Sequence, residues 1–221
     1  MKTVKNLISI RKNESALIIG AGSSVKKYQQ QINDYIKRVN PFTIGINNIT
    51  KFFIPDYHLW TNTSRFRTFG KNINKRSDLL LGSNISLKVI KDIIGSRDYT
   101  LINYTDDEKI PLGYSDGKIL GFYRTAGCLA IMISNLMGAK DISVVGMDGY
   151  TKFKHKSILK GNKSQHCYGS GHTDTANWET CVKKDIIINN VLKNIGSYGI
   201  NFKIITPTKY GEFYDSTRLH T

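Results

Sequence analysis

The chain has 221 residues, of which 40% are hydrophobic and 22% charged, and these proportions exclude disordered and collagen-like proteins. No apolar run approaches the roughly 18 residues of a membrane-spanning helix, and three cysteines without C-x-x-C spacing argue against a disulfide scaffold. Lys and Arg number 32 against 17 Asp and Glu, a formal net charge of +15. Such a charge predicts a polyanionic or phosphate-bearing partner, although a codon bias toward Lys is an alternative cause.

Short apolar runs alternate with longer segments of helical periodicity along the whole chain. The runs that predict strands are Ala16–Ile19, Pro41–Ile46, Tyr57–Thr61, Leu79–Leu81, Tyr99–Ile102, Ile142–Val145 and Phe202–Ile205. The segments that predict helices are Val25–Val39, Ile85–Ile94, Thr125–Met137 and Ala176–Ile195. Strands separated by helices predict βαβ units, so we expect an α/β fold with a mostly parallel twisted sheet and helices on both faces. No repeat or linker interrupts this pattern, and residues 1–221 are predicted to form one domain.

The N-terminal segment is basic but lacks the apolar core and the small-residue cleavage site of a signal peptide. We therefore expect a cytoplasmic protein with reduced cysteines and no transmembrane segment. The sequence leaves the oligomeric state open, and a homo-oligomer is compatible with it.

The first candidate binding segment lies between a predicted strand and a predicted helix. It contains Gly20, Ala21, Gly22 and Ser23, and glycines at this position let the backbone approach a phosphate at the helix N-terminus. Val25 stands where the dinucleotide-binding fingerprint has its third glycine, so an NAD site is not predicted. A tight structural turn is the alternative.

Two further segments carry polar groups at the same predicted edge of the sheet. Asn47 and Asn62 each follow a strand, with Ser64 close by, and amide groups suit ribose hydroxyls or a base edge. Arg124 precedes Thr125, Ala126 and Gly127, which form a second candidate phosphate cradle at a helix start. Turn formation and plain helix capping are the alternatives.

The ends of the later elements supply titratable groups. Asp148 follows a buried strand and could hold a ribose or a metal, and Tyr150 could donate a hydrogen bond to a phosphate oxygen. His172, on a glycine-rich approach to the last long helix, is a candidate general base, with an incidental surface histidine as the alternative. The spacing of His166, Cys167, His172 and Cys181 fits no standard zinc template, and no metal site is predicted.

Two basic stretches follow strands and are expected at the ligand edge of the sheet, where they could contact an anionic acceptor. One stretch comprises Ser64–Lys71, including Arg65 and Arg67, together with Lys75–Arg76. The other lies between Tyr150 and His172 and includes Lys152, Lys154 and Lys156. A solvated charged surface is the alternative for both.

These segments, in this order, resemble the bacterial sialyltransferases of glycosyltransferase family forty-two. The resemblance rests on quoted motifs that run from about residue 15 to about residue 210: Leu17–Lys26, Gly45–Asn47, Trp60–Ser64, Thr125–Gly127, Gly138–Tyr150 and Gly171–Asp174. It implies a single Rossmann-like domain, a flexible lid at about 151–171, and inverting transfer of a sugar from a nucleotide-sugar donor. No cofactor would be required, and Mg²⁺ would be compatible but not essential.

The resemblance also implies roles for particular residues. His172 would be the general base, and Tyr150 would stabilise the departing phosphate with Arg124 beside it. The nucleotide would be held by Gly20, Ala21, Gly22, Ser23, Asn47, Asn62, Ser64, Thr125, Ala126, Gly127 and Asp148. The acceptor, a glycan or hydroxymethylated DNA, would contact Arg65, Arg67, Lys152, Lys154 and Lys156.

Two other classes of function stay open at this point. A hydroxymethylpterin-diphosphokinase-like enzyme shares the glycine-rich loop and the Gly-x-Asp strand end, and it would need Mg²⁺ and ATP. A non-enzymatic nucleic-acid-binding module would account for the charge alone.

Overall fold

The computed structural model describes residues 2–152, 166–169 and 177–220. Its strands are β1 (Lys2–Thr3), β2 (Ser15–Ile19), β3 (Phe42–Ile46), β4 (Tyr57–Trp60), β5 (Asp78–Gly82), β6 (Thr100–Ile102), β7 (Gly113–Ser115), β8 (Lys118–Leu120), β9 (Asp141–Val145) and β10 (Phe202–Ile204). Its helices are α1 (Ser24–Lys27), α2 (Gln29–Val39), α3 (Thr63–Phe69), α4 (Leu87–Ile94), α5 (Ala126–Leu136), α6 (Trp178–Ser197) and α7 (Thr217–His220).

Eight strands form one parallel sheet in the order β1-β6-β5-β4-β3-β2-β9-β10, and β7 pairs with β8 in a separate antiparallel hairpin. Strand β2 lies between β3 and β9, with Ile18 opposite Ile44 on one side and Val144 on the other. From β2 the chain adds β3, β4, β5 and β6 on one side of β2, and it later adds β9 and β10 on the other side. The order of the strands therefore reverses between β2 and β9, and ligands of such sheets bind at this kind of position.

Helices cover both faces of the sheet. Successive side chains of a strand point to opposite faces, so apolar strands need cover on both sides. Ile18 packs in the cluster that includes α5 and α6, and its neighbour Ile19 packs in the cluster that includes Val25 and Ile32 of α1 and α2. Helices α3 and α4 cover the second face farther along the sheet. Helix α5 is buried over most of its length because α6 lies against it. The predicted α/β class, with a mostly parallel sheet between two helical layers, is confirmed.

The structure corrects several predicted elements. The helix predicted over Val25–Val39 is divided at Tyr28, whose backbone angles (φ −108°, ψ 24°) leave the helical region. No helix was predicted over the basic stretch that forms α3, but Asn62 caps this helix by accepting from the backbone N–H of Arg65 at 2.8 Å, and Phe66 is buried beneath it. Most of the predicted lid, residues 153–165 and 170–171, lies outside the described residues. No helix within the described ranges combines the length and apolarity needed to cross a membrane.

Candidate functional site

A cavity of about 320 Å³ opens at the carboxyl ends of β2, β3, β4 and β9, at the point where the strand order reverses. It is within the usual size range of small-molecule sites. The predicted site residues that line it are Gly20, Ala21, Gly22, Asn47, Asn62, Arg65, Arg124, Thr125, Ala126, Gly127, Asp148 and Tyr150. Segments distant in the sequence thus meet at one edge of the sheet.

The other predicted site residues are placed differently. Ser23 contacts Asp148 from beside the cavity, and Ser64, Arg67 and Lys152 do not line it. The proposed base His172 lies outside the described residues, as do Lys154 and Lys156.

The expectation that Lys75 and Arg76 lie at the ligand edge is wrong. They precede β5, which runs parallel to its neighbours, and therefore lie at the amino edge of the sheet. The sequence suggested otherwise because α3 was not predicted, and α3 carries the chain from one edge of the sheet toward the other.

The first glycine-bearing loop is closed by Asp148. This carboxylate accepts hydrogen bonds from Ser23 Oγ at 3.2 Å, from the backbone N–H of Ser24 at 2.9 Å and from Ser24 Oγ. A Cβ at Gly22 would lie 2.6 Å from the Asp148 carboxyl carbon. Burial raises the pKa of Asp148, and the hydrogen bonds from the loop oppose that rise. A carboxylate therefore already occupies the N-terminus of α1, where a phosphate was expected.

Asn47 lines the cavity and carries a buried side-chain acceptor that is unpaired among the described residues. Its backbone is left-handed (φ +56°), its side chain is 6% exposed, and its Oδ1 has no hydrogen-bond partner in the part of the chain that the structure describes. The backbone oxygen of Asn47 accepts from Ile49 N at 2.8 Å and contacts His58 Nε2. Burial lowers the pKa of His58 to about 4, so a neutral imidazole donates to this oxygen. An orphaned buried acceptor on a cavity wall is typical of a ligand contact.

Helix α5 begins at the cavity. Arg124 is held in a left-handed conformation (φ +58°) because the Asp106 carboxylate accepts from the backbone N–H of both Tyr123 and Arg124 at 2.9 Å. Thr125 caps the helix by accepting from Cys128 N at 3.3 Å. The first N–H groups of a helix have no partner within it, and the first residues of α5, Ala126 and Gly127, line the cavity together with Arg124.

Tyr150 is anchored by two residues of α6 that the sequence analysis did not select. Asp185, 5% exposed, accepts from the backbone N–H of Tyr150 at 2.7 Å and from the Tyr210 hydroxyl at 3.0 Å. It also accepts from the backbone N–H and the hydroxyl of Thr151 at 3.0 and 2.6 Å. Lys184 Nζ lies 5.1 Å from the centre of the Tyr150 ring and lines the cavity. Both residues lie inside a long helical pattern, where a charged side chain carries no distinguishing signal.

The charged groups of the cavity are mostly cationic. Arg65, Arg124 and Lys184 line it, whereas the carboxylate oxygens of Asp148 accept from the first loop. This excess of positive charge favours an anionic ligand. In the described ranges, no group of three or more His, Cys, Asp and Glu side chains is arranged to hold a metal ion.

The comparisons with known proteins identify no family. No protein-family model matches the chain, and no curated protein matches its sequence. The resemblance to the sialyltransferase family therefore rests on the motifs quoted above.

Proposed function

We propose that the chain is an inverting glycosyltransferase that binds a nucleotide-sugar donor, of CMP or UDP type, in this cavity. The observation that carries the proposal is the convergence of Asn47, Asn62, Arg124–Gly127 and Tyr150 on one cationic cavity at the reversal of strand order. These are the residues that the resemblance assigned to the nucleotide and to the departing phosphate. An unspecific basic surface would not need such a cavity or an orphaned acceptor such as Asn47 Oδ1.

The donor phosphate belongs at the N-terminus of α5 in this proposal. Asp148 occupies the corresponding position at α1, whereas the first turn of α5 faces the cavity beside Arg124. Tyr150, from the segment after β9, and Lys184 of α6 line the same cavity. Asn47 Oδ1 would accept a hydrogen bond from a ribose hydroxyl or from an amino group of the base.

The reaction is a single displacement at the anomeric carbon of the donor sugar. The oxygen of the acceptor hydroxyl forms the new bond, and the bond between the anomeric carbon and the phosphate oxygen breaks with its electron pair leaving on phosphate. The hydroxyl proton passes to a general base, for which His172 remains the prediction. Cations and helix N–H groups around the leaving phosphate stabilise the charge that develops there. The acceptor is a glycan or hydroxymethylated DNA.

A thermal-shift panel of CMP, UDP, GDP, ADP and ATP, each with and without Mg²⁺, tests the donor site. A ligand at about 100 times its Kd should stabilise the fold by about 2.7 kcal/mol. We expect a shift with CMP or UDP that persists without metal and is reduced in Arg124→Gln. The exposed Lys37 of α2 supplies a control, and Lys37→Gln should behave as the parent protein.

The other outcomes separate the competing functions. A shift only with Mg²⁺ and ATP would replace the proposal with a diphosphokinase-like enzyme. No shift with any nucleotide would contradict both enzymes and leave a nucleic-acid-binding module. For a nucleotide that binds, release of the nucleotide from its sugar conjugate in the presence of glycan or hydroxymethylated DNA would identify the acceptor.

A further inference from the structure

One wall of the cavity holds an arginine and a histidine in direct contact. Arg65 of α3 and His166 both line the cavity, with Arg65 Nη2 3.0 Å from His166 Nε2. His166 is held by a backbone bridge to Gly22, and the next residue, Cys167, donates its N–H to the carbonyl of Ala21 at 2.9 Å. The His166 ring also stacks on Tyr168, with the ring centres 5.0 Å apart and the planes at 11°. The position of the imidazole is thus fixed by the backbone as well as by Arg65.

The contact with Arg65 favours the neutral form of His166. A guanidinium group can only donate, so Nε2 must accept, and a neutral imidazole that accepts at Nε2 carries its proton on Nδ1. A protonated ring would place two cations in contact. An anion bound at this wall would favour the protonated form of His166 instead. The imidazolium could then donate from Nε2 to the anion while Arg65 donates to it as well.

We propose that Arg65 and His166 form an anion subsite of the cavity, for a phosphate-type or carboxylate group, and that occupancy of this subsite is coupled to uptake of one proton by His166. The inference rests on the proposed function for the identity of the ligand as a nucleotide derivative, but the subsite itself requires only an anion. No covalent step is involved: the proton comes from solvent when the anion binds and returns to solvent when it leaves.

Several charged and titratable groups surround this pair. Arg65 faces His166 from α3, Lys184 lines the cavity from α6, and Arg124 lines it before α5. Tyr150 and Asp148 come from the segment after β9, and Asp148 lies behind Gly22, the bridge partner of His166.

Cys167 and Tyr168 are the titratable neighbours on the histidine's own segment. Burial raises the pKa of each to about 12, so both stay protonated near neutral pH. Asp148, whose pKa is also raised by burial, remains as a competing proton acceptor. The test therefore compares the parent protein with a variant that changes His166 alone.

Sulfate is the probe, because its charge does not change between about pH 5.5 and about pH 8.5, whereas phosphate monoesters titrate there. Its Kd is measured on the full chain from the thermal shift at each pH, relative to sodium chloride at equal ionic strength. We expect sulfate affinity to rise as pH falls, by up to about tenfold per pH unit between the pKa of the liganded and the free histidine. A pH-stat titration should record proton uptake on sulfate addition.

His166→Gln should bind sulfate with a Kd that no longer depends on pH and with no proton uptake. Arg65→Gln should bind sulfate more weakly at every pH. Its proton uptake on sulfate addition near neutral pH should be smaller, because the histidine no longer faces a guanidinium. The inference is overturned if sulfate does not bind, if affinity in the parent is independent of pH, or if His166→Gln keeps the parent's pH dependence. Sulfate binding with proton uptake but no nucleotide binding would leave this inference intact and contradict the donor site.

Discussion

The anchor of Tyr150 offers the sharpest test of the site's construction. Asp185 accepts four hydrogen bonds, and the two backbone donors use different oxygens: Tyr150 N binds Oδ1 and Thr151 N binds Oδ2. In Asp185→Asn the single amide oxygen can serve only one of them, so one N–H faces the amide NH₂ whichever way the group is turned. An unsatisfied buried donor costs about 1–3 kcal/mol, and hydrogen bonds to a charged group contribute about 1.5–3 kcal/mol each.

We therefore expect Asp185→Asn to lower the free energy of unfolding by about 3–5 kcal/mol, or roughly 6–20 °C in Tm for a chain of this length. Urea denaturation should show a lower midpoint with an unchanged m-value. Tyr210→Phe, which removes one donor of the four, should cost about 1.5–3 kcal/mol, less than Asp185→Asn. Asp92→Asn, on the exposed side of α4, is the matched control and should change stability little. A loss below about 1 kcal/mol in Asp185→Asn would refute the four-donor account.

Three further substitutions test separate features. Gly22→Ala should destabilise the fold by about 1–3 kcal/mol, measured by urea denaturation, because its Cβ would lie 2.6 Å from the Asp148 carboxyl carbon. In Gly127→Ala the new Cβ would crowd only the flexible end of Met147, at 2.5 Å from Cε, so Tm should change little. Because Gly127 and Met147 both line the cavity, nucleotide affinity should fall in a binding titration. Because burial lowers the pKa of His58 to about 4 from an ordinary 6.5, the unfolded chain takes up a proton more readily than the folded protein does. Stability should therefore fall by up to about 3 kcal/mol as pH drops from about 6.5 to about 4, and His58→Gln should lose that part of the pH dependence.

Much of the sheet could be predicted because its strands are short, continuous apolar runs. A parallel strand covered on both faces needs apolar side chains at successive positions, and Ala16–Ile19 satisfies this requirement. Ile142–Val145 satisfies it except at Ser143, whose buried hydroxyl accepts from the Tyr35 hydroxyl. Helix α3 could not be recognised in this way. Its seven residues contain one buried side chain, Phe66, and its cap Asn62 looked like a ligand group at a strand end.

The parts of the site that escaped prediction depend on contacts between distant residues. Asp185 acts at Tyr150, and His166 acts beside Arg65, which is 101 positions away in the sequence. Neither pair can be recognised from neighbouring residues in the sequence, since one partner of each pair lies in a helix and the other in an irregular segment. The predicted residues that did meet in the cavity share a simpler property. They follow parallel strands, whose carboxyl ends lie at one edge of the sheet.

The two glycine-bearing loops illustrate what only the fold can decide. In the sequence, Gly20–Ser23 and Thr125–Gly127 both stand at the start of a predicted helix and both contain small residues, so either could bind a phosphate. In the structure, Asp148 fills the first with a carboxylate, and helix α1 behind it has only four residues. Helix α5 has eleven residues, its first turn faces the cavity, and a strained Arg124 stands at its start. Asp148 accepts from the backbone N–H of Ser24 in α1, whereas Asp106 accepts from the N–H groups of Tyr123 and Arg124, which precede α5. We therefore expect an incoming phosphate at the first turn of α5 rather than at α1.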